Sequence, residues 1–298
     1  MAAFFANQIC DPFLPPESPC IIAPYMEYLI RAQDAPDIQK ILSFTRAHNI
    51  RLVIRNTGHD YLGKSTGTGG VAIWMHHIKN VEVLKYNSPE YMGKAPKVGA
   101  GAQVFEALDA AQEHGLVVVA GNSQTVLEWE TITADGEVVT ATPHGEHADL
   151  YWALAGVGGG TYGVVISMTA KAYPEMRTAT ANLTFRSQSM AQELYCGAVE
   201  TFIRQLGPLL DARGTVNLEN WWLITNVLLP RLAKFSPGGG AYLNKANPYE
   251  PDWQYAFYGE NYGRIFNIKA KYNSDGVFYV PTGVGSDSWV QRDDGRLY

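Results

Sequence analysis

Residues 55–70 read RNTGHDYLGKSTGTGG, a stretch in which His59 stands among glycines and short polar side chains directly after the apolar run IRLVI. A second glycine-loaded stretch, AGVGGGTYGVV over residues 155–165, follows DLYWAL and runs into a strand-forming segment. Glycine lets backbone N–H groups approach an anion closely, and successive amides form a concave nest for phosphate oxygens. In the first stretch Arg55, Asn56, Thr57, Asp60, Lys64 and Ser65 add polar groups around Gly58 and Gly63. In the second, Gly158, Gly159 and Gly160 offer a backbone able to pass flat against a ligand. Both stretches also fit plain turns. By residue type His59 suits four roles: satisfied loop histidine, general base, metal ligand or covalent attachment point. Spacing alone leads to a nucleotide-binding hypothesis and no further.

Other chemistries find little support. The chain contains no G-x-S-x-G, no H-E-x-x-H, no P-loop, and no G-x-G-x-x-G placed between a strand and a helix. No metal site is expected. His76 and His77 are adjacent in a strand-like run and would point to opposite faces. His144 and His147 sit in a polar loop without a carboxylate or thiol cluster. A net charge of −6 leaves no basic surplus to neutralise nucleic-acid phosphates. No run is long enough to span a bilayer. The 17 Tyr and 7 Trp serve packing, and they also suit a pocket for a flat, partly apolar ligand.

The elements that would position these loops follow from periodicity. APYMEYLIRA holds a strand, and DAPDIQKILSFTRAHN reads as an amphipathic helix capped by Asp34, with Ile38, Ile41, Leu42 and Phe44 on its apolar face. IRLVIRN, VAIWM and VEVLKY read as strands. APKVGAGAQVFEALDAAQEHGLVVVAG is a strand, a glycine turn, a helix and a strand, and VLEWETITADGEVVTAT is a hairpin turning at Asp135-Gly136. Beyond residue 176, SMAQELYCGAVETFIRQLGPLL and WWLITNVLLPRLAKF read as helices, with Cys196 expected to be buried. The tail from Tyr258 reads as a tyrosine-rich loop, a helix and a terminal turn. This order is α+β with mixed strands, unlike the regular alternation of a nicotinamide-binding sheet. Cys10 and Cys20 fit either a small disulfide ring or two reduced thiols, Asn182 heads an N-L-T sequon, and the N-terminus does not read as a signal peptide.

In order along the chain, IRLVIRNTGHDYLGKSTGTGGVAIWMHHIKNVEVL, KVGAGAQVFEALDAAQEHGLVVV, VLEWETITADGEVVTATP, DLYWALAGVGGGTYGVVISMTAKAYP and YGENYGRIFNIKAKYNSDGVFY closely resemble fungal FAD-linked oxidases. These are berberine-bridge-enzyme-like members of the vanillyl-alcohol-oxidase/p-cresol-methylhydroxylase superfamily. The resemblance implies a PCMH-type FAD-binding domain of two α+β subdomains over residues 1–176. A reduced or incompletely represented α+β substrate domain would occupy 177–245, and a C-terminal segment over 246–298 would return to the FAD domain. It implies that His59 is joined covalently to the flavin and that Arg55 to Gly63, with Lys64 and Ser65, cradles the pyrophosphate. Gly158 to Val164, including Thr161 and Gly163, would line the cofactor from a second side, and Asn261 would reach it from the C-terminal end. Tyr258 or Tyr262 would act as general base while a small alcohol, sugar or fungal secondary metabolite gives a hydride to the flavin. Molecular oxygen would reoxidise the flavin, releasing hydrogen peroxide. Family resemblance, the Cys10/Cys20 pair and the sequon point to secretion or an endomembrane lumen.

The resemblance breaks in two places. After GLVVVAGNS the family continues with a glycine-rich segment that in many members carries a second flavin-linking cysteine, and no residue here matches that cysteine. Near GTVNLENWWLITNVLLPRL, almost none of the family's broad antiparallel substrate sheet is present. Three readings stay open: a chain represented without some of its segments, an enzyme of reduced size, or a degenerate relative. The last would be a flavin-free isomerase or cyclase, or a binding scaffold. Oligomeric state leaves no readable signal.

Overall fold

The computed structural model describes residues 15–18, 25–60, 62–119, 125–156, 158–175, 191–207, 239–243, 250–292 and 296–297. The chain divides into two compact units, one made of Met1–Glu175 with Gly240–Tyr298 and the other of Met176–Gly239. The first unit carries both glycine loops and the tyrosine-rich tail.

Its first layer is a three-stranded parallel sheet of β1 (Tyr28–Arg31), β2 (Leu52–Arg55) and β3 (Val71–Trp74), in the order β1-β3-β2. The connection from β1 to β2 is helix α1 (Ala35–Ala47), which starts where the Asp34 side chain accepts the Asp37 amide at 3.0 Å and a proline opens the first turn. Ile38, Ile41, Leu42 and Thr45 are its buried face. Phe44, expected on that face, is 51% exposed. The buried positions step by three and four along the helix, and Thr45 completes the stripe that Phe44 misses by one residue. Thr45 tolerates burial because its hydroxyl donates to the Ile41 carbonyl at 2.9 Å.

The second layer is antiparallel. Strands β4 (Val81–Ser88), β5 (Tyr91–Gly99), β7 (Val126–Ile132), β8 (Val138–Ala141) and β9 (Val164–Ala170) run in the order β4-β5-β9-β7-β8. A separate antiparallel pair joins β6 (Leu116–Val118) to β10 (Ala172–Pro174). The β7–β8 hairpin turns at Asp135-Gly136 as its sequence predicts, with Gly136 at φ +82°. Helices α2 (Val104–Gln112) and α3 (Ala148–Gly156) lie in the connections. The α+β class with mixed strands is the architecture expected.

The tail departs from expectation in one respect. The tyrosine-rich segment is helical: α5 (Trp253–Tyr258) is followed by a single 3-10 turn, Gly259–Asn261, and then α6 (Tyr262–Tyr272). Gly259 at φ +56° ends α5 abruptly, and a stretch that joins one helix end to the next helix start shows no continuous periodicity. Beyond α6, Phe278 forms a parallel bridge with Leu52, so the tail adds a contact to the edge of β2. Two main cores result. One contains Ile38, Leu42, Ile73, Met75, Ile132, Val164 and Phe278, and the other Leu62, Leu150, Tyr162, Leu243, Tyr258, Ile265 and Val284.

In the second unit, α4 (Gln192–Arg204) is a helix as expected, but Cys196 on it is exposed. Tyr195, Ala198, Val199, Phe202 and Ile203 are half-buried on one stripe, and Cys196 lies just past its edge, about a quarter turn from its centre. His76 and His77 lie in a 3-10 turn, Met75–His77, so strand alternation does not separate them, and their ring centroids are 5.7 Å apart. The helix expected at WWLITNVLLPRLAKF, the Cys10/Cys20 pair and Asn182 lie outside the described residues.

One glycine shows how tightly the second layer is closed. A Cβ built on Gly163 would lie 2.7 Å from the Ile132 carbonyl oxygen and 3.1 Å from Thr131 Oγ1, whereas one on Gly159 would meet nothing within 4 Å. Gly163→Ala should therefore lower unfolding free energy by about 1–3 kcal/mol through overpacking. Gly159→Ala should change it by less than about 1 kcal/mol in either direction. Urea denaturation of the two variants beside the wild type checks the contrast, and equal effects would contradict the packing described.

Candidate functional site

The first glycine loop leaves β2 at Arg55 and returns to β3 at Val71. Gly58 and Gly63 hold φ values of +83° and +81°, which side-chain-bearing residues rarely adopt. A Cβ on Gly58 would also stand 2.5 Å from an Arg55 guanidinium nitrogen. The loop is braced from within. Asp60 Oδ1 accepts the amides of Leu62 at 2.9 Å and Lys64 at 2.8 Å, while its Oδ2 lies 3.0 Å from Lys64 Nζ. Both side chains of that pair are largely buried. Arg55 donates to the Ser65 carbonyl at 3.2 Å. Asn56 donates to the Ala100 carbonyl, and its own carbonyl accepts the Trp74 indole at 3.0 Å. His59 sits between these braced residues and is exposed.

The second glycine loop follows α3. Gly158 and Gly160 stand at φ +83° and +79°. The chain then buries Thr161, Tyr162 and Val164 almost completely. Tyr162 donates its hydroxyl to the Ile265 carbonyl at 3.2 Å, and burial pushes its ionisation well above the ordinary phenol range.

Helices α5 and α6 bring Tyr258 and Tyr262 together, with ring centroids 5.8 Å apart. Tyr258 is buried and donates to the Thr282 carbonyl at 3.0 Å. Tyr262 donates to Asp287 at 3.1 Å and accepts the Gly285 amide at 3.2 Å. Burial pushes both phenols upward, with each shift reinforced by a neighbour: Tyr262 for Tyr258 and Asp287 for Tyr262. Both are thus phenols, not phenolates, around neutral pH. Asn261 is exposed in the 3-10 turn before α6.

Leu62 of the first loop, Tyr162 of the second and Tyr258 of the tail belong to one core cluster, with Tyr262 packed against it. The three stretches singled out by sequence therefore converge. Sequence reasoning missed two residues that hold them, Tyr162 and Lys269. Lys269 carried a legible signal, since Ile265, Ile268, Lys269 and Tyr272 form one helical stripe in which a charge is out of place. It is 8% exposed, and its ammonium donates to the carbonyls of Phe278 at 3.0 Å and Val284 at 2.6 Å. Among the described residues, no cluster of three or more His, Cys, Asp or Glu is arranged to hold a metal, and no helix is long and apolar enough to cross a membrane.

Comparison with known proteins agrees with this arrangement. A family model described as FAD binding domain matches residues 26–124, and one described as Berberine and berberine like matches 241–285. The chain is 30% identical over 468 aligned positions to the FAD-linked oxidoreductase ZEB1 of Gibberella zeae, covering all of this chain and 83% of that one. It is 32% identical to the FAD-linked oxidoreductase sor8 of Hypocrea jecorina over 466 positions, covering 100% of this chain and 81% of the relative. The crystal structure of the VAO-type flavoprotein MtVAO615 from Myceliophthora thermophila superposes with a TM-score of 0.79 at 27% identity, over all of this chain and 86% of that one. The 468 aligned positions exceed the 298 residues of this chain, so the relative carries stretches that this chain lacks.

An FAD brings phosphate oxygens, ribityl and ribose hydroxyls and a flat ring, and the residues present suit it. Buried polar atoms in proteins are normally satisfied. Here Asn56 Oδ1 in the first glycine loop and Thr161 Oγ1 in the second are buried with no hydrogen-bond partner among the described residues. The amide oxygen is an acceptor for a ligand hydroxyl, and the threonine hydroxyl is a donor for a phosphate or ring oxygen.

Lys269 makes the site's stability depend on pH. Burial pushes its ionisation down to about 8, with Asp287 partly opposing. Above that point the folded state has released a proton that the unfolded chain keeps until about 10.4. Unfolding then takes up a proton, so stability rises with pH through this window and is flat below it. The unfolding free energy of the wild type relative to Lys269→Met should therefore climb from pH 8 to pH 10 in urea titrations. A constant or shrinking difference would show that the lysine titrates normally.

Proposed function

The chain belongs to the FAD-linked oxidoreductases that combine an FAD binding domain with a berberine-like C-terminal segment, and from this premise we propose that it is an oxygen-dependent oxidase with flavin joined to His59. Residues 1–176 form the FAD-binding domain, 177–245 the remnant of a substrate domain, and 246–298 the segment returning to the FAD domain. The observation that carries the covalent reading is the exposure of His59 in a loop whose flanking side chains are engaged in internal bonds. The first loop, from Arg55 to Ser65, holds the pyrophosphate with backbone amides and the Arg55 and Lys64 charges. Gly158 to Val164 line the ring side, with Thr161 as a donor, and Asn261 approaches from the C-terminal end.

When bound, FAD supplies the two-electron acceptor, taking a hydride from an alcohol, sugar or fungal secondary metabolite and passing the electrons to oxygen to give hydrogen peroxide. The protein must then accept the proton that the substrate hydroxyl releases. Tyr258 and Tyr262 are the candidates, and their surroundings separate them. Tyr258 points at a backbone carbonyl, which cannot take a proton onward. Tyr262 already donates to the Asp287 carboxylate, so a proton arriving at its oxygen has an exit. Tyr262 is therefore the base, and Tyr258 sets the aromatic wall beside it.

A second reading is a flavin-free isomerase, cyclase or binding scaffold. It is favoured by one fact, the length by which the aligned relatives exceed this chain. One measurement separates the two. Purified protein reconstituted with FAD and precipitated with acid should carry yellow absorbance in the pellet, and His59→Ala should release that absorbance to the supernatant. A colourless wild-type protein after reconstitution would favour the second reading. In the yellow protein, Tyr262→Phe should slow anaerobic flavin reduction by primary alcohols or sugars about 10²–10⁴-fold, the usual worth of a general base. Tyr258→Phe should slow it less, and the reverse order would exchange the two roles.

A further inference from the structure

Lysine is rarely buried without a partner, and Lys269 is buried on the core-facing stripe of α6. Its ammonium is spent on two main-chain carbonyls, those of Phe278 and Val284. These flank a short loop with a demanding backbone. Thr282 stands at φ +55° and Gly285 at φ +74°, and a Cβ on Gly283 would come within 2.3 Å of the Val280 side chain. Asn273, one turn beyond Lys269, braces the same end, accepting the Phe278 amide and donating to its carbonyl, both at 3.2 Å.

The strapped loop is also the one that receives both tyrosines. The Thr282 carbonyl accepts the Tyr258 hydroxyl, and the Gly285 amide donates to the Tyr262 hydroxyl, whose other partner, Asp287, lies two residues further on. At its start, Phe278 bridges to Leu52 of β2, the strand that leads into the His59 loop. One ammonium thus holds both ends of a loop that orients two phenols and touches the strand beneath the first glycine loop.

We propose that Lys269 is a positioning residue of the reaction centre: by clamping the carbonyls of Phe278 and Val284 it fixes the loop that aims the hydroxyls of Tyr258 and Tyr262. The inference rests on the assignment of those tyrosines to the flavin reaction, but the clamp itself is read without flavin. A merely structural lysine would support the fold as a whole. A positioning lysine acts on two named side chains and leaves distant ones alone. Tyr91 is the distant control, since its hydroxyl donates to the carbonyls of Lys94 and Ala172 in the antiparallel layer.

The experiment is fluorine NMR of the full chain labelled with 3-fluorotyrosine, with the resonances of Tyr258, Tyr262 and Tyr91 assigned by single Tyr→Phe changes. In Lys269→Met the Tyr258 and Tyr262 resonances should move toward the position of solvent-exposed fluorotyrosine while Tyr91 keeps its wild-type shift. If Lys269→Met does not accumulate folded protein, Lys269→Gln, which retains an amide donor for one carbonyl, is read the same way. Unmoved Tyr258 and Tyr262 resonances would overturn the proposal, and so would a Tyr91 shift of equal size, which marks general loosening. Acid-pellet absorbance of the wild type is scored separately. A wild-type protein left colourless after reconstitution with FAD, together with selective tyrosine shifts, removes the oxidase reading and leaves the clamp standing, whereas a yellow pellet with no selective shift does the opposite.

Discussion

The hydroxyl of Tyr162 reaches across the core to the backbone carbonyl of Ile265, and the rest of the site depends on that contact. Tyr162 sits directly after the second glycine loop, and Ile265 lies in the first turn of α6. The ring is fully buried, so the hydroxyl must find an acceptor inside the protein, and a helix carbonyl one turn from Tyr262 provides it. The glycine loop and the tail thereby share one hydrophobic cluster, into which Leu62 brings the first loop. Separate the second loop from the tail and the buried phenol loses its bond; withdraw Leu62 and it loses part of its apolar surroundings.

This arrangement explains why the two glycine loops have different characters. The first is held by polar side chains of its own, chiefly the Asp60–Lys64 pair and the amides that Asp60 caps. The second is held by what surrounds it, with Gly163 pressed against the β7 backbone and Tyr162 anchored in α6. A self-braced loop can present one exposed residue, His59, at a defined place. An externally held loop can present bare backbone. Membership in an FAD-linked family and this local geometry agree.

The tail holds its two tyrosines in a comparable way. Tyr258 and Tyr262 are held as neutral phenols by burial, and their hydroxyls are aimed by a loop that a buried ammonium secures. Burying a charge is costly, and although two carbonyls and Asp287 face this ammonium, burial still pushes its ionisation down. The arrangement belongs to the tertiary structure: Lys269 is nine residues from Phe278 and fifteen from Val284, and neither spacing advertises a contact.

What the sequence determined by itself was the local grammar. Alternation and glycine placement set the strands and the β7–β8 turn, Asp34 with the following proline set the start of α1, and the glycine–polar composition marked both loops. These features are legible because each depends on near neighbours in the chain. Periodicity misjudged Phe44 and Cys196 by a single position each, because a stripe's edge depends on what it packs against. It also read the tyrosine-rich stretch beginning at Tyr258 as loop, because a stretch joining the end of one helix to the start of the next shows no continuous face. Only the tertiary structure decided that Leu62, Tyr162 and Tyr258 share one core, that Asn56 and Thr161 each bury an oxygen with no partner among the described residues, and that a lysine on an apolar stripe secures the loop beside two tyrosines. Those decisions turn on contacts between residues up to two hundred positions apart. Burial, which no local pattern encodes, supplies the force that turns each hydroxyl, carbonyl and ammonium toward the partner it needs.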